Sequence, residues 1–230
     1  MTDYRTQIDV PQSRAAPPKY EGANGAPMTS FYRSFGKRIF DVVASIAICM
    51  IAVPLIAVLA LLIRIEGHNP FYSQERIGKG GKVFRMWKLR TMVPNADIKL
   101  AAHLANDTAA QLEWDEKQKL RNDPRITRTG HWLRRSSMDE LPQIFNVLFG
   151  SMSLVGPRPM MVEQRESYAG DSYYKMLPGM TGPWQVSERS ESAFSARVGH
   201  DDAYFQNMSL FKDVSLMART VLVVFKGTGQ

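Results

Sequence analysis

The chain of 230 residues has one cysteine, Cys49, and four histidines. A lone cysteine makes no intrachain disulfide, and no Cys/His cluster has zinc spacing, so neither staple holds this fold. Such poverty in cysteine suits a body facing a reducing compartment. Residues 2–12 lack an apolar core, so a signal peptide is not expected there. There is no Walker pattern, no helix-turn-helix, no RNP-like aromatic motif and no internal repeat. Charge is in surplus with one sign only: 29 Lys and Arg face 22 Asp and Glu, a formal net charge of +7. Without a recognition motif, nucleic acid is set aside as a partner. Anionic membrane and phosphorylated small molecules remain.

What is present changes along the chain. Residues 1–30 mix Pro11, Pro17, Pro18, Pro27 and glycines without an apolar period, and a disordered N-terminal tail is expected. Residues 36–66 form the membrane candidate. Lys37 and Arg38 precede an uncharged run from Val42 to Ile63, and Arg64 and Glu66 close it. At about 1.5 Å per residue a helix of that run just crosses a hydrocarbon core of roughly 30 Å. Pro54, in its middle, removes a backbone donor and predicts a kink or a turn. A kinked span and a re-entrant hairpin with both ends on the cytoplasmic side stay open, and a buried soluble helix is the third reading. Basic residues on both flanks favour the hairpin.

Residues 67–230 read as an α/β domain, mostly helical with a small β-hairpin element. Phe71–Ile77 and Val83–Arg90 flank the glycine-rich Gly78-Lys79-Gly80-Gly81-Lys82, a hairpin pattern. Lys88, Arg90 and Thr91 are candidates to face phosphate, with a solvated basic strand as the plain alternative. Residues 95–120 are helical in composition with a break near Asn106-Asp107-Thr108, and Thr127–Arg135 predicts a basic helix. Trp132 suits either a membrane–water interface or a core. Pro178–Val186 reads as a turn-rich strand region, Asp201–Tyr204 lies on an expected helix, and Leu210–Phe225 predicts a core-packed or membrane-surface helix.

The densest chemistry lies in residues 134–159. Asp139 and Glu140 adjoin Arg134 and Arg135, and Pro157-Arg158-Pro159 follows. A carboxylate attacks phosphorus or holds a metal ion, and an arginine fork grips phosphate oxygens. The prolines fix φ on both sides of Arg158 and hold its fork at low entropic cost. The plain reading is a helix cap. Ser137 to Glu140 fits a capping box, and Asp139 as the cap places Pro142 in a tolerated first-turn position.

Taken together, the motifs resemble one family over about residues 36–226. They are Lys37-Arg38-x-Phe40-Asp41, Gln74-x-Arg76-Ile77-Gly78, Lys88-x-Arg90-Thr91-Met92 and Asp123-Pro124-Arg125-Ile126-Thr127. After them come Leu133-Arg134-x-x-Ser137-x-Asp139-Glu140-Leu141-Pro142-Gln143, Asn146-Val147-Leu148, Gly156-Pro157-Arg158-Pro159, Pro178-Gly179-x-Thr181-Gly182 and Asp201-x-x-Tyr204. In this order and spacing the chain resembles the bacterial sugar transferases, the monotopic polyprenyl-phosphate phosphoglycosyl transferases. It looks most like the exopolysaccharide-initiating undecaprenyl-phosphate galactose phosphotransferases.

The resemblance implies a re-entrant membrane helix-hairpin fused to a catalytic domain with amphipathic interfacial helices, on the cytoplasmic face of a bacterial inner membrane. It implies transfer of a sugar 1-phosphate from a nucleotide diphosphate sugar to undecaprenyl phosphate, the first step of a repeat unit, beside membrane lipids and other polysaccharide-assembly enzymes. It further implies Mg²⁺, with Asp139 as nucleophile and metal ligand and Glu140 as its helper. By motif, Lys88, Arg134, Arg158 and Asp201 line the family's active site. The chain departs from the family pattern at Val53, before the bend proline, and at Pro183 and Glu188. The last two motivate the alternative of a catalytically altered membrane scaffold.

Overall fold

A computed structural model describes residues 31–117, 119–187, 194 and 196–225. The predicted tail and Glu188 lie outside these residues. A π-helical turn, Tyr32–Gly36, leads into α1, Lys37–Ile65. At about 1.5 Å per residue α1 is roughly 40 Å long. Asp41, Ser45, Ala52, Ile56, Leu59 and Ile63 are its buried residues, a stripe at helical spacing. Val43, Ile46, Met50, Ile51, Val58 and Leu61 on its other faces are exposed. Tyr32–Ile65 is long and apolar enough to cross a membrane, by length and composition.

Of the kink or turn expected at Pro54, the turn does not form. The backbone stays helical through it, so no turn divides α1 into two arms. The proline is exposed, as is Met50 one turn before it, so the missing hydrogen bond falls on the outer face.

Polar contacts fasten α1 to the rest. Arg38 donates to the carbonyls of Val147 at 2.6 Å and Leu148 at 2.9 Å. Asp41 accepts from Ser153 Oγ and the Leu154 N–H, both at 3.0 Å. Lys37 reaches Asp213 at 2.8 Å, and Tyr32 and Tyr204 both donate to that same carboxylate. The Lys-Arg-x-Phe-Asp motif therefore has a structural use: it supplies partners to backbone groups that a helix end or a short strand leaves open.

The expected hairpin forms. β1, Phe71–Ile77, pairs antiparallel with β2, Val83–Leu89, with Tyr72 opposite Lys88 and Arg76 opposite Phe84. Gly80 and Gly81 take φ of 68° and 75° in the turn, a region open to glycine. The broken helical stretch resolves into α2, Ala96–Asn106, and α3, Thr108–Lys117. α4, Arg128–Arg135, follows, capped by Thr127, whose hydroxyl accepts from the Gly130 N–H at 2.9 Å. Trp132 is half exposed, which removes it from the core.

α5, Gln143–Leu148, and β3, Ser153–Val155, follow the dyad. Then come α6, Ser172–Lys175, and β4, Gly179–Thr181, which runs parallel to β3. The turn-rich strand expected through Val186 stops at Thr181, because Pro183 opens a helix, α7, Pro183–Ser187. Proline fits a first helical turn, where its missing donor has no partner to lose. α8, Ala196–Gln206, and α9, Leu210–Phe225, complete the described chain. The main core joins Met86 of β2, Ile144 and Val147 of α5, Leu154 and Val155 of β3, Tyr204 and Leu216. α9 buries Asp213 and Leu216 and exposes Leu210, Phe211, Val214, Val221 and Leu222.

Candidate active site

The dyad sits on a single 3-10 turn, Met138–Glu140, between α4 and α5. Ser137 enters it with φ of 56°, left-handed for a residue with a side chain. Neither capping arrangement forms. Ser137 makes no side-chain cap bond, and Pro142 takes the place before α5 that a cap would hold. Asp139 is thereby freed from capping a helix. It is 9% exposed, and a side chain this buried needs partners for its charge.

Those partners come from β2 and α4. Asn146 of α5 accepts from the Trp87 N–H at 3.0 Å and donates to the Arg85 carbonyl at 2.8 Å, which holds β2 against the dyad. Lys88, the next residue of β2, then places its ammonium 2.8 Å from Glu140 Oε1 and 3.9 Å from Asp139 Oδ2. Arg134 is aimed by Thr91, whose hydroxyl accepts from its Nε at 2.9 Å. This geometry needs Gly130: a Cβ there would lie 2.1 Å from the Thr91 carbonyl oxygen, so only glycine lets α4 approach β2's end so closely. Burial pushes the Asp139 carboxyl up to about 6, with Lys88 and Arg134 pulling it down and the Glu140 charge raising it. The two cations thus leave Asp139 short of full compensation.

Glu140, Lys88, Arg158 and Pro159 line one small cleft open to solvent. Arg76, Gln143, Met180 and Gln185 line it too, and none of these was singled out for the site from sequence. Their approach depends on bare backbone. The Gly156 N–H donates to the Thr181 carbonyl and the Gly179 N–H to the Pro157 carbonyl, both at 2.9 Å. A Cβ on Gly156 would lie 2.4 Å from the Leu177 oxygen, and one on Gly182 2.0 Å from the Gly156 oxygen. Gly-Pro-Arg-Pro and Pro-Gly-x-Thr-Gly are therefore two sides of one close contact.

Arg158 is exposed, and Pro157 before it is buried. Arg197 donates to the Arg158 carbonyl, and both guanidiniums lie over the Trp184 ring, at 6.0 Å for Arg158 and 5.3 Å for Arg197. Asp201 stands behind them. It is 1% exposed and accepts from the Tyr168 hydroxyl at 2.7 Å. Burial pushes its carboxyl up to about 6, against Tyr168 and Arg197. It supports the wall of the cleft rather than facing it. Arg90 turns away: its Nε donates to the Asn69 carbonyl at 2.8 Å, and its guanidinium lies over the Tyr72 ring. Pro54, on α1, belongs to the apolar helix and not to this cleft.

The chain matches the family described as bacterial sugar transferase over residues 32–227. It belongs to that family. The chain is 46% identical over 197 residues to the UDP-galactose-lipid carrier transferase of Erwinia amylovora, a match that covers 85% of this chain and 41% of the relative. It is 46% identical, with the same two shares, to the undecaprenyl-phosphate galactose phosphotransferase of Salmonella typhimurium. It is 39% identical to the exopolysaccharide production protein ExoY of Rhizobium meliloti over 84% of this chain and 87% of that one. The chain thus spans about two fifths of the length of the first two relatives and most of the third.

Proposed function

We propose that this protein transfers a sugar 1-phosphate from a UDP-hexose, of galactose or glucose type, to undecaprenyl phosphate and releases UMP. The observation that supports this is the setting of the dyad: a buried carboxylate relieved of capping duty, flanked by Lys88 and Arg134, beside a cleft that presents Arg158. The relatives named for galactose and glucose phosphotransfer to undecaprenyl phosphate support the same reading.

In the first half-reaction an Asp139 oxygen attacks the phosphorus that carries the sugar. The bond from that phosphorus to the bridging oxygen breaks, and its electron pair leaves with UMP. In the second half an oxygen of undecaprenyl phosphate attacks the same phosphorus. The aspartyl ester bond breaks and the carboxylate returns. Neither half consumes a proton overall. Lys88 and Arg134 keep Asp139 ionised and offset the charge of the phosphate it approaches. Glu140, held by Lys88, orients groups beside it.

Mg²⁺ is the proposed cofactor. Among the described residues no cluster of three metal-ligating side chains exists. The dyad nevertheless fits magnesium, which takes one or two carboxylates and completes its shell with water and substrate phosphates. Asp139 would hold it, with Glu140 beside it as helper, and the incompletely compensated charge of Asp139 suits a cation. Bound there, it supplies further neutralisation of the diphosphate oxygens.

The placement follows from the two substrates, one soluble and one lipid. α1 is proposed to enter and leave the bacterial inner membrane from the cytoplasmic side by a kink at Pro54 within its continuous helix, with the domain on that face. The exposed apolar residues of α9 and Trp132 of α4 would rest in the interface. The product passes to other polysaccharide-assembly enzymes. The test is incubation of the purified protein with labelled donor and no lipid, followed by mass analysis of the peptide containing residue 139. A phosphosugar adduct on Asp139 with one UMP released is expected. An adduct only on another residue, or none with turnover intact, would sink the nucleophile assignment.

A further inference from the structure

The cleft beside the dyad holds more positive charge than its own carboxylate balances. Arg76, Lys88 and Arg158 line it, and Glu140 is the carboxylate among its lining residues. Lys88 is matched by Glu140 at 2.8 Å. Arg76 is not matched. It is 8% exposed, and its Nε is buried without a hydrogen-bond partner among the described residues. One terminal nitrogen donates to Gln74 Oε1 at 2.7 Å, a neutral acceptor two residues away on the same face of β1. Burial and the like charge of Arg158 both hold its guanidinium below the ordinary arginine value, with Glu140, Tyr173 and Glu163 acting the other way but none of them in an ion pair with it among the described residues.

Burying a guanidinium without a carboxylate destabilises a fold, and a second guanidinium nearby adds to the cost. An oxyanion with several acceptors removes both problems at once, because two arginine forks then share it. Gln74 holds the Arg76 side chain in place without neutralising it, which leaves its charge for a ligand. Resting on the donor reading above, we propose that Arg76 is a second anion-binding residue of the cleft, which with Arg158 grips the diphosphate of the donor. Lys88 and Arg134 attend to the dyad; Arg76 and Arg158 attend to the substrate.

The test uses the full chain in lipid nanodiscs, with inorganic pyrophosphate as the probe at fixed magnesium. Wild type, Arg76→Met and Arg76→Lys are compared by calorimetric titration and by thermal unfolding. Arg85→Met is the control for net charge, since Arg85 is exposed on β2 and lies outside the cleft lining. Without probe, Arg76→Met should melt above the wild type, because an unpaired buried charge is gone. It should nonetheless bind pyrophosphate at least about tenfold more weakly. Arg76→Lys keeps the charge but not the fork and should also bind more weakly, while Arg85→Met should match the wild type. A structural role for Arg76 has the opposite sign: Arg76→Met would melt lower, or fail to fold, and that result overturns the proposal. Wild-type affinity in Arg76→Met overturns it, as does absence of pyrophosphate binding by the wild type. Pyrophosphate binding without turnover of labelled donor would strike the proposed reaction and leave this inference standing.

Discussion

Asp139→Asn separates the nucleophile reading from every structural one, because it moves activity and stability in opposite directions. Burial raises the Asp139 carboxyl from 3.8 to about 6. At about 1.4 kcal/mol per unit, those roughly two units come to ~3 kcal/mol. The sign follows from proton counting. The folded value lies above the unfolded one, so the native state keeps a proton that the unfolded chain gives up first. That contribution to stability is present in acid and is lost as pH rises from about 4 to about 6. Asparagine has nearly the same size and does not ionise, so it escapes the loss. The melting temperatures of wild type and Asp139→Asn should therefore coincide at low pH and separate as pH rises, with the gap about half open at pH 5 and complete by pH 7.5. For a chain of this length ~2–4 °C accompanies each kcal/mol, so the full gap should be roughly 6–12 °C, measured in chelator. Added Mg²⁺ should narrow it by stabilising the wild type alone. The same variant should release no UMP and form no adduct. Near-normal turnover by Asp139→Asn, or a gap that does not change with pH, would refute the reasoning.

Four further outcomes are expected. Activity in membranes should vanish in excess chelator and return with Mg²⁺; full activity in chelator would remove the metal. Cysteines placed at Ser34 and Asn69, either side of α1, should both be labelled from the cytoplasmic side alone, and labelling of one from the periplasm would make α1 a span. Gly156→Ala should lower stability by about 3 kcal/mol, read from denaturant melts, since its Cβ would meet the Leu177 oxygen at 2.4 Å. Gly199→Ala on α8, with nothing within 4 Å of its Cβ, should instead raise it by ~0.5–1 kcal/mol.

The contacts of α1 show why its motif is more than a membrane flank. Asp41 serves residues 112 and 113 positions away, and Lys37 pairs with Asp213. The apolar helix proposed to lie in lipid is thereby coupled to β3 and α9, and through β3 to the turn that carries Arg158. Under the proposed function such a joint has a use, because it would keep the cleft at a fixed height relative to a lipid acceptor.

Where local chemistry decides conformation, the sequence alone was enough. Alternation and paired glycines determined β1, β2 and their turn. An uncharged apolar run determined α1, and Thr127 determined the start of α4. The juxtaposition of Asp139, Glu140 and Arg134 marked the dyad, since adjacent residues cannot be far apart. Tertiary structure decided the rest. Period two puts Lys88 and Arg90 on the same face, yet Arg90 lies past the end of β2 and is captured by the Asn69 carbonyl and the Tyr72 ring. Pro183 reads locally as a turn and becomes the first residue of a helix. The capping box at Ser137 is lost to a left-handed residue and a 3-10 turn. Arg76, Gln143 and Gln185 meet in one cleft although more than a hundred residues separate the first from the last. The reason is physical. Helix and strand periods are set by neighbours within a few residues, whereas a cleft is set by which segments pack together. That depends here on glycine backbones touching at Gly156, Gly179 and Gly182, a contact whose partners one sequence does not pair.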